Sequence, residues 1–255
     1  MKKVLYTLNI NDYAPQVREL TYPLLKFYAR KIGAEFFEIT ERRYPGWPVA
    51  YEKLQIWTLA RRLDADWNIF LDADALIHPD TVDFTTYLPR ECIAHNGTDF
   101  ASLRWRYDEY FWRDTRNIGS CNWCSIASRW CLDLWHPLED LTLAEALDRI
   151  QPTQEERNCG LIDREHLLDD YVLSRNIARY GLKVQTLTEL QKVLGLTWQT
   201  WFWHAYTIPI EDFPTIDPDG NPVLDKDGRP VMKPGKVSEL KNTRKLWGIA
   251  DDFGH

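Results

Sequence analysis

Along the first third of the chain, short apolar runs alternate with stretches whose apolar residues recur every three or four positions. Lys3 to Ile10 is the first run and predicts a strand. Asn11-Asp12-Tyr13-Ala14-Pro15 is turn chemistry. Val17, Leu20, Leu24, Phe27 and Tyr28 then share one helical face, with Gly33 as the stop. Pro23 inside that helix predicts a kink. Ala34 to Thr40 alternates as a second strand, and Tyr44-Pro45-Gly46-Trp47-Pro48 is a loop. Tyr51 to Leu63 predicts a helix and Trp67 to Leu71 a third, buried strand. Strand, helix, strand, helix, strand is the pattern of a parallel sheet covered by helices.

The pattern loosens after that. Ile77 to Leu88 reads as loop and short helix, and Phe100 to Arg106 as a strand. Asn117-Ile118-Gly119-Ser120 is a turn leading into a mixed apolar stretch, then a helix around Ser128 to Trp135. Leu143 to Ile150 is helical, Asp170 to Tyr180 is a helix closed by Gly181, and Lys183 to Leu187 is a strand. Beyond about residue 205, Asp217-Pro218-Asp219-Gly220-Asn221 and Asp225-Lys226-Asp227-Gly228 are turns between short apolar pieces and predict a hairpin. The first of them superficially resembles a calcium loop but lacks its spacing and terminal Glu, which leaves a turn. No internal repeat is expected. The organisation expected is an α/β core over 1–205 and a C-terminal, hairpin-containing extension over 206–255 packed on the same domain.

Composition narrows the function. A chain of 255 residues suits one α/β domain with an ample core. The formal net charge of -7 argues against a surface that tracks nucleic-acid phosphates. No apolar run approaches the ~18 residues of a membrane helix. The opening Met1-Lys2-Lys3-Val4-Leu5 turns polar too soon for a signal peptide, so a cytoplasmic, membrane-free protein is expected. Cys121 and Cys124 form a Cys-x-x-Cys, with Cys131 and Cys159 beyond, but the spacing suits reduced core thiols better than zinc. The 12 Trp are the compositional oddity; most belong to the core, and some can stack on sugar or base faces.

Candidate chemistry concentrates at the end of the third strand. Trp67-Asn68-Ile69-Phe70-Leu71-Asp72-Ala73-Asp74 ends an apolar run in two acids one residue apart. Open α/β sheets bind ligands at that end of their strands. Two like charges side by side need a cationic partner, and a divalent metal is the usual one. Lys53 is either a solvated helix lysine or a group reaching a phosphate or an acid of the site. His204, among Trp201, Trp203 and Tyr206, is a metal ligand or a hydrogen-bonded member of an aromatic cluster. One of Asp169 and Asp170 is expected to N-cap the helix that follows, leaving the other, Asp170 by preference, for function. Arg104 and Arg106 suit either phosphate or surface ion pairs.

Taken in order, these stretches resemble the glycosyltransferases of the GT-A fold. Asp72-Ala73-Asp74, preceded by Tyr51-Glu52-Lys53-Leu54, is similar to their metal-binding Asp-x-Asp. Asn117-Ile118-Gly119-Ser120 with Trp123-Cys124-Ser125-Ile126 is similar to the Asn-x-Gly segment beside the donor sugar in the glycogenin-like and yeast-type galactosyl/mannosyl transferases. Leu168-Asp169-Asp170-Tyr171 resembles their late acidic pair, and Trp203-His204-Ala205 the late His that ligates the metal. The resemblance implies a Rossmann-like, mostly parallel central sheet flanked by helices. It implies a metal-dependent hexosyltransferase acting from a nucleoside-diphosphate sugar, a UDP-sugar before a GDP-sugar, onto a glycan or other hydroxyl acceptor; a nucleic-acid acceptor is not favoured. It assigns Mn2+ or Mg2+ to Asp72, Asp74 and His204, and the donor to Thr7, Asn9, Asp12, Tyr13, Lys53, Asp72, Asn117 and Gly119. Asp170 and Asp169 become the catalytic pair, as base in an inverting enzyme or donor-positioning group in a retaining one. The chain departs from the pattern after His204, where Ala205-Tyr206-Thr207-Ile208-Pro209 lacks the Gly and Lys of His-x-x-Gly-x-x-Lys. Thr243-Arg244-Lys245-Leu246-Trp247 is the alternative source of that basic group. The rival readings are a haloacid-dehalogenase-like phosphatase, whose Asp-x-Asp normally ends the first strand, and a sugar-nucleotide-binding protein without turnover.

Overall fold

The computed structural model describes residues 1–97, 120–151, 164–195, 202–205, 209–217, 219–250 and 253. The chain forms two compact units. The first comprises Met1–Asp12, Ala29–Asp72 and Val82–Thr197, the second Tyr13–Tyr28, Ala73–Thr81 and Trp198–His255.

The first unit is built on six strands: β1 (Lys3–Leu8), β2 (Ala34–Ile39), β3 (Trp67–Leu71), β5 (Cys92–Gly97), β6 (Ser120–Ser128) and β7 (Lys183–Thr186), while β4 (Ala75–Ile77) falls in the second unit. Their order is β2-β1-β3-β6-β5-β7. β1 pairs in parallel with β2 and β3, and β5 with β7. β6 runs antiparallel to both its neighbours, so five strands share one direction and the sheet is mostly parallel. The carboxyl ends of β1, β2 and β3 therefore meet on one edge.

Helices cover the sheet as the apolar periodicity requires. Val4, Tyr6, Phe70, Ile93 and Ala127 of the sheet pack with Leu59 of α2 (Ile56–Leu63), Ala146 of α3 (Leu143–Arg149), and Tyr171 and Val172 of α4 (Leu168–Arg179). The helix expected over 51–63 divides into a 3-10 segment, Val49–Gln55, and α2. The expected helix at 128–135 is likewise a 3-10 segment, Arg129–Trp135, broken at Cys131. Strand β5 had no period to reveal it, because His95-Asn96-Gly97 ends it in polar residues. The strand expected up to Leu187 stops at Thr186, whose hydroxyl accepts from the Glu189 N–H while the Glu189 carboxylate accepts from the Thr186 N–H. That capping box starts α5 (Leu187–Leu194), a helix the apolar pattern did not announce. The strand expected at 100–106 lies outside the described residues.

In the second unit, α1 (Pro15–Lys31, of which Tyr28 is the last residue in this unit) runs through Pro23 as one helix. β4 pairs antiparallel with β8 (Phe202–His204), placing Ala75 opposite His204. Val17, Leu24, Leu76, Ala205, Ile249 and Leu240 of α6 (Lys236–Leu246) form its core. Among the described residues, no helix of the chain is long and apolar enough to cross a membrane.

The C-terminal turns prove to be a repeat, against expectation. Pro214-Thr215-Ile216-Asp217, Pro222-Val223-Leu224-Asp225 and Pro230-Val231-Met232-Lys233 recur every eight residues. The Val223 N–H donates to the Thr215 carbonyl at 2.8 Å, Val231 to Val223 at 2.8 Å, and Thr215 to Val231 at 2.7 Å, which closes a ring of three. Ile216 bridges Pro222, Leu224 bridges Pro230, and β9 (Phe213–Pro214) pairs with β10 (Met232–Lys233). Each turn is tied by one carboxylate: Asp217 Oδ1 accepts from the N–H groups of Asp219 and Asn221, and Asp225 Oδ1 from those of Asp227 and Arg229. The apolar period was hidden because the repeated positions are short and interrupted by proline.

Candidate functional site

In the first unit the site begins where β3 ends. Asp72 continues from the strand, its N–H donating to the Trp123 carbonyl of β6 at 2.9 Å. The 3-10 segment carries Lys53, a buried residue, to that point. Lys53 Nζ lies 3.0 Å from Asp72 Oδ1 and 2.7 Å from Asp169 Oδ2, and it donates to the Asn122 carbonyl at 3.0 Å. Burial alone would lower the Lys53 pKa, but the Asp169 and Asp72 carboxylates outweigh it and hold the ammonium charged well above its ordinary range. Lys53 is thus no solvated helix lysine.

Asp169 and Asp170 both sit in the first turn of α4, where unpaired N–H groups favour carboxylates. Neither is the N-cap. That position is Leu167, with no side-chain cap, so the expectation of a capping role is corrected. The acids face other partners instead: Asp169 binds Lys53, and Asp170 Oδ1 accepts from the Asn122 N–H at 2.6 Å. Cys121 and Cys124 are part of β6, and burial pushes both thiols well above the ordinary range, with Asp170 adding to the push on Cys121. They are neutral thiols, as expected of packed cysteines.

Also in this unit, Thr7 and Asn9 stand at the carboxyl end of β1, both buried. Thr7 is in register with Glu38 of β2, and Asn9 Nδ2 donates to Glu38 Oε1 at 2.6 Å. Asn11 and Asp12 follow with φ of 57° and 54°. Asn and Asp tolerate that left-handed region better than other side chains, so the turn signal in the sequence has its physical basis here.

In the second unit, Asp74 is almost fully buried. Its Oδ1 lies 3.1 Å from His204 Nε2, and its Oδ2 accepts from Lys236 Nζ. Strand pairing explains the His: His204 on β8 lies opposite Ala75, the residue after Asp74. Lys236 also donates to the Tyr13 hydroxyl at 3.3 Å. Burial opposes ionisation of Asp74, but His204 and Lys236 hold its carboxyl well below the ordinary range. Lys236 is the first residue of α6, preceded by Gly235, where any Cβ would collide with the Glu211 carbonyl. That close approach fixes where the lysine starts its reach.

The structure thus brings Lys53, Asp72, Asp169 and Asp170 together in the first unit, and Tyr13, Asp74 and His204 in the second. Thr7, Asn9 and Asp12 lie in the same unit as the Lys53 cluster. Asn117, Gly119, Arg104, Arg106, Trp201 and Tyr206 fall outside the described residues. Two residues of these clusters were not among the candidates read from the sequence. Asn122 lies in a strand without clean alternation, and Lys236 lies far beyond His204 in the chain. The Pro234-Gly235 pair before Lys236 was the one usable cue, a helix start. Of the proposed basic segment 243–247, Arg244 is buried and donates to the Leu20 and Ala250 carbonyls at 2.9 and 2.7 Å, whereas Lys245 is exposed.

The sequence matches no family model and no curated protein. Among solved structures, the chain is similar to a glycosyltransferase involved in the glycosylation of the major capsid of PBCV-1, at 9% identity and a TM-score of 0.43, covering 80% of this chain and 93% of that one. It is also similar to a mutant Drosophila β-1,4-galactosyltransferase 7 in complex with manganese, UDP-Gal and xylobiose, at 10% identity and a TM-score of 0.40, covering 91% of this chain and 92% of that one.

Proposed function

We propose that this protein is a metal-dependent glycosyltransferase that moves a hexose from a nucleoside-diphosphate sugar to a hydroxyl acceptor. One observation carries the proposal: the Asp-x-Asp follows the carboxyl end of a buried parallel strand, and each acid has its own buried lysine. Asp72 has Lys53, and Asp74 has Lys236 together with His204. A buried acid held ionised between a lysine and an imidazole, and a half-buried one beside a buried lysine, suit a polyanionic ligand and its counter-cation.

The donor set fits such a cation. The residues that the GT-A resemblance assigns to the metal, the carboxylates of Asp72 and Asp74 and the imidazole of His204, are of the mixture that Mn2+ accepts readily and Mg2+ accepts through its oxygens. When bound, the cation supplies charge stabilisation to the leaving diphosphate. The rest falls to the chain's own side chains. Lys236 helps keep Asp74 ionised, and Lys53 and Lys236 offer ammonium groups to phosphate oxygens. Tyr13, half-exposed and hydrogen-bonded to Lys236, offers a ring face to the nucleoside. By the same resemblance Thr7, Asn9 and Asp12 are assigned to the nucleoside, and Asn117 and Gly119 to the donor sugar. Asp170 takes the acceptor hydroxyl proton if the enzyme inverts, and positions the donor sugar if it retains configuration.

A UDP-sugar is the favoured donor and a GDP-sugar the second choice. Incubation of the protein with UDP-galactose, UDP-glucose and GDP-mannose in manganese tests the function. Slow release of UDP or GDP that stops on chelation supports it. Phosphate release from simple monoesters, with the sugar nucleotides untouched, replaces it with a phosphatase. Tight nucleotide binding without turnover would leave a binding protein.

A further inference from the structure

Strand β6 keeps an uninterrupted register with β3, from Ser128 opposite Trp67 to Cys124 opposite Leu71. Against β5 its register slips: Ser125 lies opposite His95, but Cys121 lies opposite Asn96. Residues 122–124 are thus extra on the β5 side, a bulge, and bulges re-aim backbone groups and side chains. Asn122 is the residue so re-aimed. Its N–H leaves the ladder and donates to Asp170 Oδ1 at 2.6 Å. Its carbonyl accepts from Lys53 Nζ at 3.0 Å. Its side-chain Oδ1 accepts from the fully buried Ser125 hydroxyl at 2.7 Å, which determines the face of the amide. The opposite end, Nδ2, is thereby turned to Asp169 Oδ2 at 3.3 Å.

From this geometry we infer that Asn122 is the positioning residue of the acidic pair, holding Asp170 through its main chain and Asp169 through its side chain. The inference rests on the reading of Asp169 and Asp170 as the working acids. It divides their roles. Asp169 is bound by a lysine and an amide, so it anchors Lys53. Asp170 is oriented by a main-chain group that no side-chain substitution short of proline removes. Trimming Asn122 therefore loosens Asp169 first, and Ser125 matters because it sets the amide.

The test uses the full chain in two arms. In the first, amide spectra of the wild type should show the Asn122 backbone N–H far downfield, as expected of a short bond to a carboxylate. It should move upfield in Asp170→Asn and stay in Asp169→Asn. In the second, turnover of UDP-galactose with manganese in Asn122→Ala should fall about 10-fold in kcat with KM for the donor nearly unchanged, the size typical of lost supporting contacts. Asn122→Ala should add little in an Asp169→Asn background and its full effect in an Asp170→Asn background, a pattern that general loosening of the fold does not give. An Asn122 amide that ignores Asp170→Asn overturns the inference, as does Asn122→Ala with wild-type kcat. Absence of turnover in the wild type would instead overturn the glycosyltransferase reading, and the amide signature would still decide the role of Asn122.

Discussion

Asp74 is a carboxylate with an imidazole on one oxygen and an ammonium on the other. Its replacement by Asn removes the charge that both partners answer to. Turnover of a sugar nucleotide should fall by at least ~10 to 100-fold in Asp74→Asn and in Asp72→Asn, and a chelator should reproduce both. His204→Ala separates two roles for the imidazole: weaker manganese binding by calorimetry marks a ligand, whereas a lower melting temperature with unchanged manganese affinity marks a packing histidine. Asp170→Asn should reduce transfer by ~10² to 10⁴-fold if the acid is the general base, with donor affinity kept. Asp169→Asn carries a different penalty. It leaves Lys53 buried beside a single carboxylate, and unfolding in urea should show a loss of about 3 kcal/mol, in the range for a broken buried pair. These acids were legible because strand-end acids and first-turn acids have sequence positions that physics dictates. Lys236 and Asn122 were not, because one is brought in by tertiary packing and the other by a bulge, and neither leaves a period in the chain.

At the level of elements, β1 and β3 were readable since each buries an apolar run, and β2, mostly half-buried, by its alternation. β5 and β6 were not, since their buried positions include His95, Asn122 and Ser125, and a buried polar residue reads as loop. The 3-10 segment before α2 shows the same cause from another side. Glu52 is fully buried there, and its carboxylate accepts from Arg42 Nε at 2.7 Å, the N–H groups of Arg43 and Tyr44 at 2.9 and 3.0 Å, and Gln55 Nε2 at 2.8 Å. One carboxylate thus folds the loop after β2 back on the segment that presents Lys53, and Trp47 stacks on Tyr51 at 4.1 Å over it. Glu52→Ala should unfold at lower denaturant by about 3 kcal/mol, and activity should fall further than stability because Lys53 loses its footing. A Glu52→Ala protein as stable as the wild type would show that the loop is held by its aromatic stack instead.

For the molecule as a whole, acid sensitivity should set in earlier than its carboxylates alone would dictate. His95 is buried in β5, with neither ring nitrogen hydrogen-bonded by a described group. Burial lowers its pKa from 6.5 to about 4, against an opposing pull from the Asn96 backbone and Glu189. Below pH 6.5 the unfolded chain takes up a proton that the folded chain refuses. Stability is therefore full above pH 6.5 and falls as the pH drops towards 4, by about 2 kcal/mol at pH 5. Asp74 and Asp140, both held low, act in the same direction but in a lower window: their contribution is present above the ordinary carboxylate range and is lost as pH falls through their depressed values. Denaturant unfolding at pH 7.5 and pH 5 should show the early loss, and His95→Gln should flatten it. The measurement that bears most directly on the central claim is calorimetric titration of UDP into the full chain, with manganese and with chelator, for the wild type, Asp72→Asn and Asp74→Asn. The account predicts binding to the wild type that requires manganese and is lost or strongly weakened in both variants. UDP binding of equal strength in chelator and in both variants would contradict it.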